Sequence, residues 1–410
     1  MPKQIEEGLA HCAMFGMKPG LESIQRTCAE LGNPQNNLKI VHVAGTNGKG
    51  ATCALVESVL RAAGFGTGRY TSPHLVSLTE RFLLNGKPVS MELLDKAYAS
   101  IPDASALTYF ELLTAVAFKL YAQERVDWLV LETGLGGRLD ATNVVEHPQV
   151  CAITRIGLDH CDWLGGTLRE IASEKGGIIK QGVPVVLGAM PDEARETLER
   201  IAAERGAPCI YAPDEVQETE IPEGFALKGK FNRENALTAL AVLKVLGVNR
   251  EAIERGFASV VWPGRFQKVE NDGRRLIVDG AHNPPAMRAL VDSLKAEADT
   301  KDGFRVSSVI CGFCGDKDVN ANLALLREVV DSGIAVAIRN PRSLSAEETA
   351  KKMRDAGFAD VRTFGSIAEA LASAPDGTVV CGSLFLAGET LEALGTCDGG
   401  NKHFIPNETI

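Results

Sequence analysis

The sequence predicts an α/β protein of two domains, each built on a mostly parallel sheet with helices on its faces. Three observations predict this fold class: strand-length apolar runs alternate with helical segments, several runs end in a polar residue, and the alternation restarts after Trp262-Pro263-Gly264-Arg265. Strands that alternate with helices form parallel sheets. We therefore place a domain boundary at Gly264 and expect domains at 1–264 and 265–410.

The composition is that of an ordinary globular protein. The 410 residues are 45% hydrophobic and 23% charged, which allows a sizeable core. The formal net charge of -10 argues against a general nucleic-acid-binding surface. No apolar run approaches membrane-spanning length and no signal-peptide core is present, so we expect no membrane partner. We further expect a monomer in the cytoplasm, whose reducing conditions keep thiols free. The ten cysteines include one close pair, Cys311 and Cys314, which lacks further zinc ligands, and we interpret them as free thiols.

A glycine-rich loop joins a strand to a helix near the start of the first domain. The apolar run 38–44 leads into Gly45 to Ala51, and apolar residues recur at helical spacing from Thr52. Such a loop directs backbone N–H groups at one place, and Lys49 adds positive charge, so it predicts phosphate binding in a P-loop-type domain. The P-loop pattern itself is not met, because Lys49 is followed by glycine rather than a hydroxyl residue. A plain glycine turn is the alternative.

The other first-domain elements follow from apolar periodicity and turn residues. A hairpin is expected around Asn85-Gly86, and an amphipathic helix at Thr108 to Gln123. The remaining expected elements are helices at 5–14, 21–31 and 168–179, and strands at 128–131, 150–154 and 183–187.

The second domain is expected to be smaller and Rossmann-like. Its predicted strands lie at 276–278, 306–310, 334–338, 361–364 and 379–381, with helices between them.

Polar residues at strand ends are the candidates for chemistry, because ligands of parallel α/β sheets bind there. Glu132 ends an apolar strand and suits a magnesium ion that bridges nucleotide phosphates, although a helix-capping carboxylate is the alternative. His160, in the loop after the next strand, is a second candidate for the same ion or a structural histidine. Lys175 beside Glu174 is by itself best explained as a solvated ion pair.

The second half repeats this arrangement. Asp279 to Pro284 places an acidic residue, a glycine and His282 after a strand, and a turn is the alternative explanation. Asp316-Lys317-Asp318 follows the next strand. Polar strand ends in both domains predict a cleft between them. The residues alone thus indicate a nucleotide-using, magnesium-dependent protein of two domains.

Together these segments resemble the folylpolyglutamate synthase and dihydrofolate synthase family, a branch of the Mur ligase superfamily. The resemblance covers nearly the whole chain. It is carried by Phe15-Gly16, Gly45-Thr-Asn-Gly-Lys-Gly50, Ser72-Pro-His-Leu75, Glu80-Arg81, Phe110-Glu111, Glu132 to Asn143, Ile156-Gly-Leu-Asp-His160, Glu174-Lys175, Asn235-Ala236, Trp262 to Arg265, Asp279-Gly-Ala-His-Asn283 and Gly382-Ser-Leu384.

The resemblance implies an ATP-dependent ligase that adds L-glutamate to a pteroate or folate carboxylate, such as dihydropteroate or a reduced folate, through an acyl phosphate. It implies ATP and Mg²⁺ as cofactors and assigns roles by position. The expected nucleotide-binding residues are Gly45, Thr46, Asn47, Gly48, Lys49, Gly50, Ala51, Asn235, Arg265 and Asp279. The expected magnesium ligands are Ser72, Glu132 and His160, and the expected catalytic residues are Lys49, Lys175 and His282. The expected substrate-binding residues are Phe110, Leu139, Asp140, His282 and Ser383.

The resemblance also changes the interpretation of Lys175. The family lysine at that place is carbamylated, so a carbamylated Lys175 is expected here, and its formation requires a neutral amine.

The sequence departs from the family pattern at two places. Ala51 replaces the usual Ser or Thr, and Phe231-Asn232 replaces the common His-Gln. Two other functions therefore stay open: a Mur-type amide ligase for another carboxylate, and a nucleotide-binding protein with impaired catalysis.

Overall fold

The computed structural model describes residues 4–12, 20–300 and 303–395, which form two sheets. The first sheet has eight strands and the second has six. The predicted α/β fold class is confirmed, whereas the boundary at Gly264 stays a prediction. Phe15 and Gly16, which contribute to the resemblance, lie outside the described residues.

The first sheet is parallel except at one edge. Its strand order is β4-β3-β2-β5-β1-β6-β7-β8, and β3 pairs antiparallel with both β2 and β4, which confirms the predicted hairpin. In chain order the strands are β1 (Lys39–Ala44), β2 (Thr67–Tyr70), β3 (Phe82–Leu84), β4 (Lys87–Pro88), β5 (Trp128–Glu132), β6 (Val150–Ile153), β7 (Val185–Leu187) and β8 (Cys209–Tyr211).

Helices cover both faces of this sheet. They are α1 (Gln4–Cys12), α2 (Glu22–Glu30), α3 (Lys49–Ala62), α4 (Met91–Tyr98), α5 (Tyr109–Gln123), α6 (Cys161–Leu164), α7 (Leu168–Gly176), α8 (Asp192–Glu204), α9 (Ala212–Glu215), α10 (Lys230–Val245) and α11 (Arg250–Ser259). Successive side chains of a strand point to opposite faces. Val41 and Val43 of β1 accordingly share a core with α3, α10 and α11, whereas Ile40 shares another with α2 and α5.

Two predicted helices differ from those observed. The segment expected to be an amphipathic helix, α5, has eleven buried residues out of 15, because the sheet lies on one side and other helices on the other. The helix expected at 168–179 ends at Gly176. A Cβ at Gly177 would lie 2.3 Å from Arg138 Cα, so this glycine allows the chain to pass close to the loop after β5.

The second sheet has the order β13-β12-β11-β14-β10-β9, and all its strands are parallel except β9. The sequence did not predict β9, whose residues are all partly or fully exposed. The strands are β9 (Gln267–Asn271), β10 (Arg274–Val278), β11 (Ser308–Cys311), β12 (Ser332–Ala335), β13 (Asp360–Thr363) and β14 (Thr378–Cys381). The helices are α12 (Pro284–Ala298), α13 (Val319–Leu326), α14 (Ala346–Asp355), α15 (Ile367–Ser373) and α16 (Leu384–Ala393).

None of the helices given above has the length and apolar character that crossing a membrane requires. The nine cysteines of the described residues are free, as predicted.

Gly256 allows α11 to pack directly on α3. A Cβ at this position would lie 2.5 Å from the Val59 Cα. Backbone cannot move aside as the end of a flexible side chain can, so we expect Gly256→Ala to destabilise the first domain by about 1–3 kcal/mol. Gly224→Ala is the matched control, because its Cβ would meet only Ala258 at 3.7 Å. Thermal unfolding followed by circular dichroism measures both; equal midpoints would contradict this packing.

Candidate active site

A cleft of about 1030 Å³ separates the two domains at the carboxyl ends of β1, β5, β6 and β10. This volume is at the upper end of ordinary ligand pockets, so more than one small molecule fits. Seventeen of the predicted site residues line it: Thr46, Asn47, Gly48, Lys49, Gly50, Ala51, Ser72, Phe110, Glu132, Leu139, Asp140, His160, Asn235, Arg265, Asp279, His282 and Ser383. The other two, Gly45 and Lys175, line a cavity of about 40 Å³ beside it.

The glycine-rich loop presents the start of α3 to the cleft. Gly48 has a φ of 92° and its Cβ would lie 2.1 Å from the Asn235 side chain, so both the backbone and the contact require glycine. The amides of Thr46 and Asn47 are already bound to the Arg155 carbonyl at 2.9 and 3.3 Å. An anion would therefore be held by the amides of the first helical turn, which have no intrahelical acceptor.

Trp262, two residues before the predicted boundary, presses on the same helix. A Cβ at Gly50 would lie 2.2 Å from its ring. On another side of this ring, Arg69 places its guanidinium 5.2 Å from the ring centroid. The linker between the domains, residues 262–265, is thus packed against the glycine-rich loop.

The missing hydroxyl at position 51 is not replaced by Thr52. Ala51 lines the cleft, whereas Thr52 is fully buried outside its lining, and its hydroxyl has no hydrogen-bond partner among the described residues. The departure of Ala51 from the family pattern is therefore a real difference in the cleft.

Glu132, at the end of β5, carries the carboxylate nearest to Lys49. One carboxylate oxygen lies 3.8 Å from the Lys49 Nζ and the other accepts a hydrogen bond from the Ser72 N–H at 3.1 Å. Burial raises the pKa of Glu132, and Lys49 opposes this rise. Arg265 and Arg69 also oppose the rise, but only Lys49 forms an ion pair with this carboxylate among the described residues.

His160 starts α6 with a left-handed φ of 51°, a backbone conformation that is concentrated at functional sites. Burial lowers the pKa of His160 to about 4, so the imidazole is neutral at physiological pH and has a lone pair for a metal. The donors Ser72, Glu132 and His160 all line the cleft. Within the described residues, no three His, Cys, Asp or Glu side chains are grouped closely enough to form a metal site by themselves.

Lys175 is not the solvated ion pair that the local sequence suggested. It is buried, and Glu174 pairs instead with Arg138 at 2.9 Å. Burial, followed by repulsion from Lys49, lowers the pKa of Lys175 to about 7. Its small cavity is also lined by Lys49, Asp159 and His160, which places the amine beside the residues predicted to bind phosphate and metal.

Phe110, Leu139 and Asp140 line the cleft on the side of the first domain. Phe110 stacks on Tyr70 with the ring centroids 5.9 Å apart, and Leu139 is 41% exposed. Asp140 is buried and already accepts hydrogen bonds from the amides of Leu135 and Thr142 at 2.9 and 3.0 Å. Asp140 therefore shapes the loop after β5 whatever it also binds.

The second domain contributes Asp279 from the end of β10. Its two carboxylate oxygens accept hydrogen bonds from the N–H groups of Phe266 and Ala281, each at 2.7 Å. Burial raises its pKa, and Arg265 is the main group that opposes the rise. Asp279 thus fixes the backbone directly after Arg265, and its negative charge stabilises the Arg265 guanidinium.

His282 and Ser383 lie on neighbouring loops. The Nδ1 of His282 is 2.8 Å from the Gly280 carbonyl, which can only accept, so Nδ1 carries the proton and Nε2 is left with a lone pair. The Ser383 hydroxyl accepts a hydrogen bond from the Phe385 N–H at 3.0 Å and so caps the N-terminus of α16.

Sequence reasoning gave no role to Asp159, Asn283 or Lys317, yet these residues join the two domains. The Asn283 amide donates to Asp159 at 2.7 Å, and the Lys317 Nζ lies 3.6 Å from the other carboxylate oxygen. Burial favours the neutral form of Asp159, but His160 and Lys317 together lower its pKa to about 2. All three residues follow predicted strands, which was the available signal; their contact was not predictable from local sequence.

The chain is similar to Mur ligases along most of its length. Residues 43–243 match the family model of the Mur ligase middle domain, and residues 264–384 match that of the Mur ligase glutamate ligase domain. It is 37% identical to the dihydrofolate synthase/folylpolyglutamate synthase of Escherichia coli over 93% of both chains. It is 32% identical to the dihydrofolate synthetase of Saccharomyces cerevisiae over 91% of this chain and 97% of the relative.

Solved structures agree with these relatives. Folylpolyglutamate synthase of Mycobacterium tuberculosis, solved with ADP and AMPPCP, superposes with a TM-score of 0.86 at 32% identity, covering 96% of this chain and 98% of that chain. Escherichia coli FolC in complex with DHPP and ADP gives a TM-score of 0.83 at 34% identity, with the same coverage.

The conformation of Gly48 is expected to be essential for anion binding. Gly48→Ala would force a side chain into Asn235 and disturb the first turn of α3, so we expect affinity for a triphosphate nucleotide analogue to fall by about tenfold, or roughly 1.4 kcal/mol. Gly64→Ala is the matched control, because φ is 93° there but no atom lies within 4 Å of the new Cβ. Titration calorimetry measures both. Equal weakening by both variants would attribute the effect to backbone strain instead of the loop.

Proposed function

This chain belongs to the dihydrofolate synthase/folylpolyglutamate synthase family of Mur ligases, and we propose that it joins L-glutamate to a pteroate or folate carboxylate with conversion of ATP to ADP and phosphate. One observation carries the proposal: a single cleft collects the phosphate-binding loop and Glu132 from the first domain and Arg265 and His282 from the second. A ligase that joins two acids through a phosphorylated intermediate needs such a shared site.

The first half of the reaction takes place at the start of α3. A carboxylate oxygen of the pterin acid attacks the γ-phosphorus of ATP, and the bond from that phosphorus to ADP breaks. The amides of the first turn and the Lys49 ammonium stabilise the negative charge on the phosphoryl oxygens. We assign the remaining nucleotide contacts to Asn235, Arg265 and Asp279, with the negative charge of Asp279 stabilising the guanidinium of Arg265.

The second half forms the amide. The glutamate amine attacks the carbonyl carbon of the acyl phosphate, and the resulting tetrahedral intermediate expels phosphate. The attacking nitrogen must lose a proton, and the lone pair of His282 Nε2 is the base that we assign to it. Burial lowers the pKa of His282, so the imidazole is free to accept this proton at neutral pH. We place the glutamate carboxylates near Ser383.

We propose that Ser72, Glu132 and His160 would hold Mg²⁺. Their oxygen and neutral imidazole donors fit a cation that also takes phosphate oxygens and water as ligands. When bound, the ion neutralises charge on the phosphates.

We assign the pterin acid to the pocket of Phe110, Leu139 and Asp140. An aromatic ring and an exposed apolar side chain suit a flat acceptor, and the buried carboxylate of Asp140 keeps the loop in place.

The acceptor is tested by supplying dihydropteroate and a reduced folate in parallel. We expect release of ADP that requires both L-glutamate and at least one of these acids, and a product whose mass is raised by one glutamate residue. Omission of glutamate is the control for simple ATP hydrolysis. If neither acid supports glutamate-dependent ADP release, the proposed function is wrong, and a different carboxylate or impaired catalysis becomes the explanation.

We further propose that Lys175 is carbamylated. Its pKa of about 7 leaves much of the amine neutral at physiological pH, and the neutral amine can attack CO₂, forming an N–C bond and releasing one proton. The resulting anion would face Lys49 and His160 across the small cavity, where it would stabilise the Lys49 ammonium and accept a hydrogen bond from a neutral imidazole or a metal-bound water.

Carbon-13 bicarbonate provides the test of this modification. We expect a carbamate NMR signal that grows as the pH rises from about 6 to 8, because the amine loses its proton in this range. Lys175→Met should remove the signal and lower ligase activity by roughly 10–100-fold. Lys180→Met is the matched control, since burial also lowers the pKa of Lys180 but its ammonium contacts the Asn143 carbonyl instead. A signal that survives Lys175→Met would refute the assignment.

A further inference from the structure

One carboxylate of the first domain, that of Asp159, binds two side chains of the second domain across the cleft. Its Oδ2 accepts a hydrogen bond of 2.7 Å from the Asn283 amide, and its Oδ1 lies 3.6 Å from the Lys317 ammonium. Asn283 begins α12 and Lys317 follows β11, so two separate loops of the second domain are joined to one residue of the first. Charge-assisted contacts of this kind fix geometry better than neutral ones do.

The Asn283 side chain is held from both sides. Its carbonyl oxygen accepts from the Ala286 N–H at 2.9 Å and caps α12, which leaves its NH₂ group for Asp159. The side chain is only 4% exposed. Because the N-terminus of a helix carries partial positive charge, α12 itself favours the Asp159 carboxylate.

The backbone around this contact is equally close. A Cβ at Gly157 would lie 3.3 Å from the Pro285 ring, so the loop after β6 packs on the first turn of α12. The carbonyl of His282 accepts from the Asn322 amide at 3.0 Å, which fixes the residue directly before Asn283. A displacement of Asp159 would therefore be transmitted to His282.

We propose that Asp159 is a positioning residue that holds His282 and Lys317 in place for amide formation, and that this contact forms when the domains close. The inference rests on the proposed function, because it assigns the second half of that reaction to the geometry that Asp159 fixes. Asp159 itself touches no substrate in this scheme. Its adjacency to His160 also places the contact beside the predicted metal ligands.

A neutral interdomain contact provides the comparison. The Lys230 N–H donates to the Ser293 hydroxyl at 2.9 Å, which joins α10 to α12. Ser293 does not line the cleft. Ser293→Ala therefore weakens the domain interface without changing a charge at the strand ends.

The test compares Asp159→Asn, Lys317→Met, their double variant and Ser293→Ala. The Asp159→Asn substitution keeps the size of the side chain and an acceptor for Asn283. It removes the only interdomain partner among the two carboxylates beside Lys317, since the other, Asp316 at 3.7 Å, belongs to the same domain as Lys317. We expect kcat to fall by up to about 10²-fold in Asp159→Asn, as for a misplaced reacting group, while ADP binding stays unchanged. Ser293→Ala should stay within about twofold of the parent enzyme.

The double variant separates positioning from independent effects. If Asp159 acts by holding Lys317, Lys317→Met should cost much less in the Asp159→Asn background than in the parent enzyme. If the losses in kcat caused by Asp159→Asn and Lys317→Met simply multiply in the double variant, the proposal is wrong. It is also wrong if Asp159→Asn has the same kinetics as Ser293→Ala.

A readout without turnover keeps this proposal distinct from the proposed function. Small-angle X-ray scattering with a non-hydrolysable ATP analogue measures domain closure, and we expect a larger radius of gyration for Asp159→Asn than for the parent or Ser293→Ala. Equal radii of gyration would show that domain closure does not depend on the Asp159 contact. A parent enzyme that fails to ligate glutamate to any pterin acid would refute the proposed function, and the scattering comparison would still decide the role of Asp159.

Discussion

The structure depends on keeping charged groups away from water at the carboxyl edge of the first sheet. Glu132, Lys175 and Asp159 are all largely buried there, and each pKa is shifted by that burial or by the charges around it. Burying a charge is unfavourable unless a partner compensates it. Lys49 and the domain-crossing Lys317 supply part of that compensation, and the substrates of the proposed reaction would supply the rest. The same energetic constraint therefore makes the site receptive and holds the domains together.

The sequence predicts the features that local patterns encode, but not the contacts between residues that are far apart in the chain. Strands β1, β5 and β6 are buried on both faces and appear as continuous apolar runs, so their ends and the polar residues there were identified from sequence. Strand β9 was not, because it is a partly exposed edge strand without such a run. The burial of Lys175 and the contact between Asp159 and Asn283, 124 residues apart, arise only from tertiary packing, which local patterns do not encode.

Ala51 leaves in place the other groups at the start of α3 that can hold an anion. The amides of that turn and Lys49 remain available to an anion whatever side chain stands at position 51. The buried Thr52 hydroxyl offers no substitute, since it lies outside the cleft lining. Oxygen donors for a metal would then come from Ser72 and Glu132, on other strands of the same sheet edge, so the site draws its polar groups from several strands instead of one motif.

The contact between Trp262 and Gly50 has a consequence for how these positions can vary. The absence of a side chain at position 50 is imposed by an indole ring from the far end of the domain, 2.2 Å from where a Cβ would stand, and not by a phosphate group alone. The two positions therefore share one volume. Bulk gained at position 50 is tolerable only if it is lost at position 262, so a glycine that belongs to a binding motif depends equally on where the linker lies.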